Sequence, residues 1–272
     1  MLLLAAALLF AVNTELGSQH VLKILQQVLP IEVDYGNGSL SGRLYLKRLR
    51  FKTDGVQIEL TDLVTEVDPV CLLRTVICLR KVQARKLDIA LLENPELVLE
   101  AKAGLDDKNV AELLVFPAAL EIERLDLAAL HVHWVGGEWR QGSTQGRVHL
   151  SDSVIKVFTG VIIEPQLVLQ KTADQDIVDA GLTVLPRVDL PFELLVDELT
   201  LIEPSWDFYG AQYRQDSIAL AGRWLNRVLK MTRLDVSSRD LGELMLHGEV
   251  AFEGDWPVQA GANIDLAQPS IR

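Results

Sequence analysis

Two histidines separated by one residue are the first candidates for chemistry in this sequence. His131 and His133 fall on the same face of any extended strand, and two imidazoles on one face can bind zinc. A zinc site needs a third protein ligand, and the sequence places none in a recognisable relation to this pair. We therefore expect a solvated strand face here and no metal.

Three glycines, Gly36, Gly38 and Gly42, faintly suggest a nucleotide-binding loop. A phosphate cradle must open a helix whose N–H groups face the anion, whereas the residues after Gly42 alternate as a strand does, so we interpret the glycines as a turn. No G-x-S-x-G elbow, Walker A lysine motif or H-E-x-x-H motif occurs. We expect no catalytic residues, no cofactor and no enzyme.

Composition limits the class of protein. The 272 residues are 49% hydrophobic and 24% charged, which is typical of a chain that buries a core. A net charge of −12 argues against nucleic acid as a partner, because nucleic-acid affinity comes largely from cationic side chains. Two cysteines allow at most one disulfide and are too few for a zinc site made of cysteines alone.

The N-terminus carries an unbroken apolar run, 2–12, that spans only about 16 Å as a helix, roughly half of a bilayer core. No Lys or Arg precedes Lys23, so the basic flank of a signal peptide is missing. We interpret the run as the end of a membrane anchor whose start is missing, the alternative being a buried core helix. Apolar spacing then predicts a short helix from His20 to Leu29, ended by Pro30.

A repeated pattern organises the rest of the chain. Two apolar residues alternate, a two-residue step follows, and two more apolar residues alternate. The copies are Leu44, Leu46, Leu49, Phe51; Ile77, Leu79, Val82, Ala84; Leu120, Ile122, Leu125, Leu127; Leu194, Val196, Leu199, Leu201; and Leu229, Met231, Leu234, Val236. The third and fourth copies start 74 residues apart, about two periods, so we expect a degraded copy between them.

The step residues are polar in every copy, as in Lys47-Arg48 and Asp197-Glu198. In a strand of strict period two, the step would move the second apolar pair to the opposite face, and a β-bulge restores the face. The same register aligns Val132 and Trp134 with Trp206 and Phe208, which puts His131 and His133 on the polar face. We predict a strongly twisted, elongated sheet of bulged strands.

Helices are too scarce to cover such a sheet. The candidates are 107–116, after an Asp106 N-cap, and part of 222–229. An open repeating sheet leaves an apolar groove that needs a ligand or partner, whereas a sandwich seals that face with a second sheet. We favour the groove, lined near the membrane by Leu44, Leu46, Leu49, Phe51, Val56, Ile58 and Leu60, and further on by the third and fourth repeat copies.

Several segments together resemble the TamB family of the Gram-negative envelope. The stretch 38–46 is similar to the G-x-L-x-G-x-L-x-L strand that follows the anchor helix in that family, and Cys71-x6-Cys78 is close to its early cysteine pair. Leu-Pro units at 185–186 and 190–191 follow in the family's order, and 248–258 is similar to its G-x-(apolar)-x-(apolar)-x-G-x-(aromatic)-Pro segment.

The resemblance implies a mainly β fold: an elongated, twisted, bulged groove of β-taco type, preceded by an N-terminal membrane-anchor helix. It also implies an inner-membrane protein, with an anchor and juxtamembrane helix in 1–29 and a periplasmic groove in 30–272. Phospholipid acyl chains would occupy the groove, and a TamA or BamA-type outer-membrane protein would be a partner through regions beyond this N-terminal portion. A disulfide between Cys71 and Cys78 would close a tight loop, the alternative being two reduced, buried thiols.

Two functions of different classes follow from these features. The first is a groove that shelters or conducts phospholipid to the outer membrane and serves outer-membrane protein assembly. The second is a scaffold that offers sheet edges to outer-membrane proteins by β-augmentation, with no lipid conducted. The first depends on the side chains of the groove, and the second depends on backbone groups at strand edges.

Overall fold

The computed structural model describes residues 13–53, 55–74, 76–91, 118–170, 192–239, 242–252 and 257–266. One helix, α1 (Glu15–Val28), precedes a single mixed sheet, and a short 3-10 helix (Pro69–Arg74) interrupts it. The strands are β1 (Ile31–Gly38), β2 (Arg43–Lys52), β3 (Val56–Asp68), β4 (Val76–Ala84), β5 (Lys86–Leu91), β6 (Ala119–Leu127), β7 (Leu130–Trp134), β8 (Gly137–Gln141), β9 (Thr144–Ser151), β10 (Val154–Ile163), β11 (Gln166–Leu169), β12 (Glu193–Ile202), β13 (Ser205–Phe208), β14 (Ala211–Arg214), β15 (Ser217–Leu225), β16 (Val228–Ser238), β17 (Gly242–Ala251) and β18 (Val258–Leu266). The prediction of a mainly β fold is confirmed.

Helix α1 begins earlier than the predicted His20 because Thr14 caps it: the Thr14 hydroxyl accepts a hydrogen bond from the Gly17 N–H at 3.2 Å. It ends at Val28, where Leu29 turns to an extended conformation just before Pro30. Within the described residues no helix is long and apolar enough to cross a membrane. The predicted anchor run 2–12 and the predicted helix 107–116 lie outside the described residues.

The strands lie side by side in a row of positions that we call rungs. Each rung holds either one strand or two strands placed end to end. In spatial order the rungs are β1, β2, β3, β4 with β5, β6 with β7, β9 with β8, β10 with β11, β12 with β13, β15 with β14, β16, β17 and β18. At about 4.8 Å per rung the row extends roughly 50 Å. Strands β1 and β18 are at opposite ends of this row, so the sheet is open.

Two of the junctions between rungs are parallel: β4 and β5 with β6 and β7, and β10 and β11 with β12 and β13. A parallel pair requires a long connection from one end of a strand to the other. The sequence supplies these connections as 92–118 and 170–192, which lie almost entirely outside the described residues.

A crease runs across the sheet at the points where one strand of a two-strand rung ends and the other begins. Left-handed backbone at Asp62, Glu164 and Glu203, each with φ 53°, interrupts the extended conformation. Hydrogen bonds nevertheless continue across it, as from the Glu164 N–H to the Ile202 carbonyl and from the Glu203 N–H to the Asp216 carbonyl, both at 2.8 Å. The crease therefore bends one continuous sheet into a long half (β4, β6, β9, β10, β12, β15 to β18) and a short half (β5, β7, β8, β11, β13, β14).

Asp62 is held at the crease by two side chains. It accepts a hydrogen bond from the Tyr45 hydroxyl at 2.7 Å and pairs with the Arg85 guanidinium at 2.8 Å. The hydrogen bond to the Asp62 carboxylate, followed by desolvation, raises the pKa of Tyr45. A short polar residue tolerates left-handed backbone better than an apolar one, and these partners fix the bend.

The prediction of helix within 222–229 is wrong. Strand β15 runs to Leu225, and Asn226 and Arg227, with φ 49° and 63°, form a two-residue turn into β16. Both central residues have positive φ, as in the type I′ turns that suit the twist of a hairpin. The prediction of a turn at the three glycines is correct only for 39–42. Gly36 lies inside β1, where the Tyr45 ring occupies the place that a side chain would need.

Candidate functional site

The predicted bulges occur at the step of every repeat copy. Strand pairing shifts by a residue at 47–48 in β2, 80–81 in β4, 123–124 in β6, 197–198 in β12 and 232–233 in β16. In each strand the apolar residues on both sides of the step consequently face the same way. The sequence pattern therefore predicted both the irregularity and its effect on the face.

Neighbouring repeat copies pair in register. The second copy lies parallel to the third, with Ile77 opposite Leu120, Leu79 opposite Ile122, Val82 opposite Leu125 and Ala84 opposite Leu127. The fourth and fifth copies are joined by β15, which places Leu199, Leu220 and Leu234 side by side, and Leu201, Ile218 and Val236 beside them. The repeats thus form apolar ladders that cross the strands.

The expected degraded copy is strand β10. It carries Ile155, Val157, Gly160 and Ile162, which pair with the four apolar residues of the fourth copy in β12. A Cβ at Gly160 would lie 2.7 Å from Cδ1 of Leu199, so the glycine leaves room for that leucine. The repeat pattern does not reveal this copy in the sequence, because a glycine stands at one of its four apolar positions.

All of the predicted lining residues lie on one face of the sheet, which we call the apolar face. Leu46 is opposite Leu63, Leu49 opposite Leu60 and Phe51 opposite Ile58, and Leu46, Leu63 and Leu127 share one cluster. Further along, Ile122, Val148, Val157 and Val196 are successive partners across four strands. The face of every predicted residue follows from these pairings, whereas its contact with lipid remains a prediction.

Helix α1 covers one end of the apolar face. Leu22 packs in a cluster with Leu44, Leu46, Leu63, Ala84 and Leu127, each less than 10% exposed. Ser18, fully buried, accepts a hydrogen bond from the Leu40 N–H at 3.0 Å. Leu44 and Leu46 are therefore core residues beneath a helix, while most of the other predicted lining residues are only half-buried.

Away from α1 the described residues place no second layer over this face. Large apolar side chains stay exposed on it, including Leu91, Phe208, Val258 and Ile264. An apolar pocket of about 200 Å³ opens between β12, β15 and β16. Its walls include Leu194, Val196, Leu220, Trp224, Leu229 and Met231, and Gly222 contributes no side chain to it.

Aromatic residues mark the short half of the apolar face. Val132, Trp139, Leu167 and Trp206 are successive cross-strand partners, and the rings of Trp139 and Trp206 are 6.2 Å apart. The Trp139 indole N–H donates to Gln141 Oε1 at 2.8 Å, and that of Trp206 donates to Gln215. These bonds turn the polar edges of the two rings toward the crease.

On the opposite, polar face, ion pairs join side chains of neighbouring strands. Arg50 pairs with Glu59 at 2.9 Å, Arg147 with Glu121 at 2.7 Å and Lys156 with Asp197 at 3.1 Å. Such exposed pairs contribute little stability each. Their position shows that the sheet has one face for water and another for apolar contact.

His131 and His133 lie on the polar face of β7, as the repeat register predicted. His131 is 3.1 Å from Glu138 Oε2 and 3.6 Å from Asp88 Oδ1, and its ring centroid is 5.3 Å from that of His133. Partial desolvation opposes ionisation of Glu138, but hydrogen bonds from His131 and Arg140 outweigh it and lower the pKa of Glu138. Among the described residues no three His, Cys, Asp or Glu side chains form a metal-binding group.

The predicted cysteine bridge is present. Cys71 and Cys78 are joined with their Cα atoms 5.7 Å apart, and the bond ties the 3-10 helix to β4. Cys78 is buried and lies opposite Asp68, the last residue of β3. The bridge therefore fixes the connection between two neighbouring rungs and lies outside the apolar pocket.

Together the fold and the apolar face define a class of protein: an open, creased β-sheet of bulged strands, one face charged and the other apolar. The family model "TamB, N-terminal domain" matches residues 3–272, so the chain belongs to the TamB family and corresponds to its N-terminal portion.

A curated relative has the same family name. It is the "Translocation and assembly module subunit TamB" of Haemophilus influenzae, 20% identical over 278 residues. The match covers 91% of this chain and 21% of the relative, so the chain spans about a fifth of that relative's length.

Proposed function

We propose that this chain is the N-terminal portion of a translocation and assembly module subunit and that its apolar face holds phospholipid acyl chains. The observation that carries the proposal is the continuous apolar face. The charged residues of the described strands lie on the opposite, polar face. The relative's name supports a role in such a module, and the apolar face supports the binding of lipid.

Two properties of apolar contacts suit this face to acyl chains. Each buried CH2 contributes about 0.8 kcal/mol, so contact with part of one acyl chain retains a phospholipid. The contacts are non-directional, so a chain slides from one ladder to the next without breaking a specific bond. The pocket beside Met231, with a volume of about 200 Å³ and apolar walls, is one place on the face where part of an acyl chain would lie.

In this proposal the protein binds and guides lipid and carries out no chemical step. The inner-membrane anchor, the periplasmic location and the TamA or BamA-type partner are parts of the same proposal, inferred from the family.

Photo-crosslinking in the bacterial envelope tests the proposal. The photoreactive residue p-benzoylphenylalanine replaces Ile58 or Met231 on the apolar face, with Gln57 and Lys230 as controls on the polar face of the same strands. We expect phospholipid adducts at the first pair only. Equal lipid adducts on both faces, or protein adducts alone, would contradict the proposal.

A further inference from the structure

Strand β14 is an edge strand of the sheet, although it is neither the first nor the last strand in the sequence. It pairs with β13, while β15, in line with it, continues through β16, β17 and β18. No other described strand pairs with β14. The short half of the sheet therefore stops at β14, three rungs before the long half does.

The chain turns away just where it would cover this edge. β16 ends at Ser238, and the next residue, Arg239, is tied to Asp216: its N–H donates to Asp216 Oδ2 at 2.6 Å, and its guanidinium pairs with that carboxylate at 3.0 Å. β17 begins at Gly242 on the far side of β16. A strand added to β14 would lie end to end with β16.

The turn before β14 determines which backbone groups point outward. Tyr209 and Gly210, with φ 56° and 93°, form a two-residue turn with Phe208 opposite Ala211. In such a hairpin the pair that closes the turn is hydrogen-bonded and the next pair is not. The N–H and C=O groups of Gln212 and Arg214 therefore point away from β13, whereas those of Ala211 and Tyr213 are used within the hairpin.

The outer edge of β14 has only two of the usual protections against strand addition, its short length and the charge of Arg214. All four residues of β14 are exposed, and they include no proline, lysine or bulge. At β1, by contrast, α1 lies alongside and the Gln26 side chain donates to the Val33 carbonyl at 3.2 Å. Among the described residues nothing covers the outer edge of β14, so this edge is open to strand addition.

Side chains next to this edge define the partner. Tyr213 and Phe208 lie on the apolar face with ring centroids 6.2 Å apart, while Gln212 and Arg214 lie on the polar face. We infer that β14 binds an extended peptide segment by β-augmentation. The segment places an apolar or aromatic residue beside Tyr213 and an acidic residue beside Arg214, and its backbone bonds with Gln212 and Arg214.

The test uses the full chain and a fluorescein-labelled eight-residue peptide in which valine and tyrosine alternate with serine and glutamate. Gln212→Pro removes only the outward N–H, because proline is tolerated where an edge N–H faces solvent. Gln212→Ala is the matched control that retains this N–H. We expect Gln212→Pro to weaken binding at least tenfold by fluorescence anisotropy and Gln212→Ala to change it less than twofold, with the same thermal midpoint for both variants.

Hydrogen exchange gives a second readout. The amides of Gln212 and Arg214 exchange fast in the free protein and slow on peptide addition, while those of Ala211 and Tyr213 are protected throughout. Undetectable peptide binding, equal binding by Gln212→Pro, or outward amides already protected in the free chain would each overturn the inference. Lipid adducts at Met231 do not depend on this edge, so failure here is distinguishable from failure of the proposed lipid function.

Discussion

Leu22 of α1 and Leu46 of β2 lie in the same buried cluster, although one belongs to the only described α-helix and the other to the sheet's second rung. The helix thus contributes to the core and closes one end of the apolar face. On the described residues we accordingly expect lipid contact outside this cluster, which extends from Leu22 to Leu127 of β6.

Truncation of Leu22 should destabilise the protein. Leu22→Ala removes a side chain that is 7% exposed, and such changes cost about 2–4 kcal/mol. Leu16→Ala, on the same helix at 72% exposure, should change the free energy of unfolding by less than about 0.5 kcal/mol. Urea denaturation followed by circular dichroism measures both, and equal effects would show that α1 does not pack as described.

The Cys71–Cys78 bridge should contribute about 2–3 kcal/mol, because it closes a loop of a few residues in the unfolded chain. The variant Cys71→Ser with Cys78→Ala should lose this amount in guanidinium denaturation. Reducing agent should lower the stability of the natural sequence to that of the variant and leave the variant unchanged. A variant as stable as the oxidised protein would contradict the prediction.

Asp68, at the start of the bridged loop, should titrate below the ordinary aspartate range. The hydrogen bond from Arg80, at 2.9 Å, is the largest cause of the lowered pKa, and a bond from the Val70 N–H adds to it. A lowered carboxyl pKa contributes stability that is present at neutral pH and is lost as the pH falls through that pKa. Carboxyl carbon chemical shifts measure it by NMR.

Arg80→Gln is the matched variant for this titration. We expect the pKa of Asp68 to move back toward its ordinary value and the stability difference between the two proteins to disappear under acid conditions. An unchanged Asp68 titration in Arg80→Gln would assign the shift to other groups.

Much of the apolar face could be predicted because the repeat pattern encodes it directly. A two-residue polar step between alternating pairs, as at Lys47-Arg48, allows one structural solution that keeps both pairs on one face. The same logic placed His131 and His133 on the polar face. Patterns of this kind depend only on neighbours along the strand, which the sequence contains in full.

The crease, in contrast, was not predicted. Its signal is present in the repeated segments 162–165 and 201–204, where two apolar residues precede Glu-Pro. The glutamates adopt left-handed backbone, and the two prolines are fully buried. The helix predicted within 222–229 failed for a related reason, since the spacing of Trp224, Val228 and Leu229 also fits a helix and only strand pairing on both sides selects the hairpin.

Gly160 and Leu199 should be energetically coupled. Gly160→Ala places a methyl group 2.7 Å from Leu199 Cδ1, so the end of that side chain must shift, at a cost of about 1 kcal/mol. Leu199→Ala removes the obstacle, so the double variant should be more stable than the sum of the single effects indicates, by about 1 kcal/mol. A double-mutant cycle by urea denaturation measures the coupling, and strict additivity would show that β10 and β12 are not in this register.

Lipid retention should depend on the apolar pocket at Met231. Met231→Gln places an amide among apolar walls, where an unpaired polar group costs about 1–3 kcal/mol relative to acyl-chain contact. We expect the phospholipid that co-purifies with the protein, quantified by mass spectrometry, to fall at least fivefold. Lys230→Gln changes the neighbouring side chain on the polar face and should leave the lipid content within about 20%. Equal lipid content in both variants would show that lipid retention does not depend on the apolar face. It would favour the edge of β14 as the functional surface.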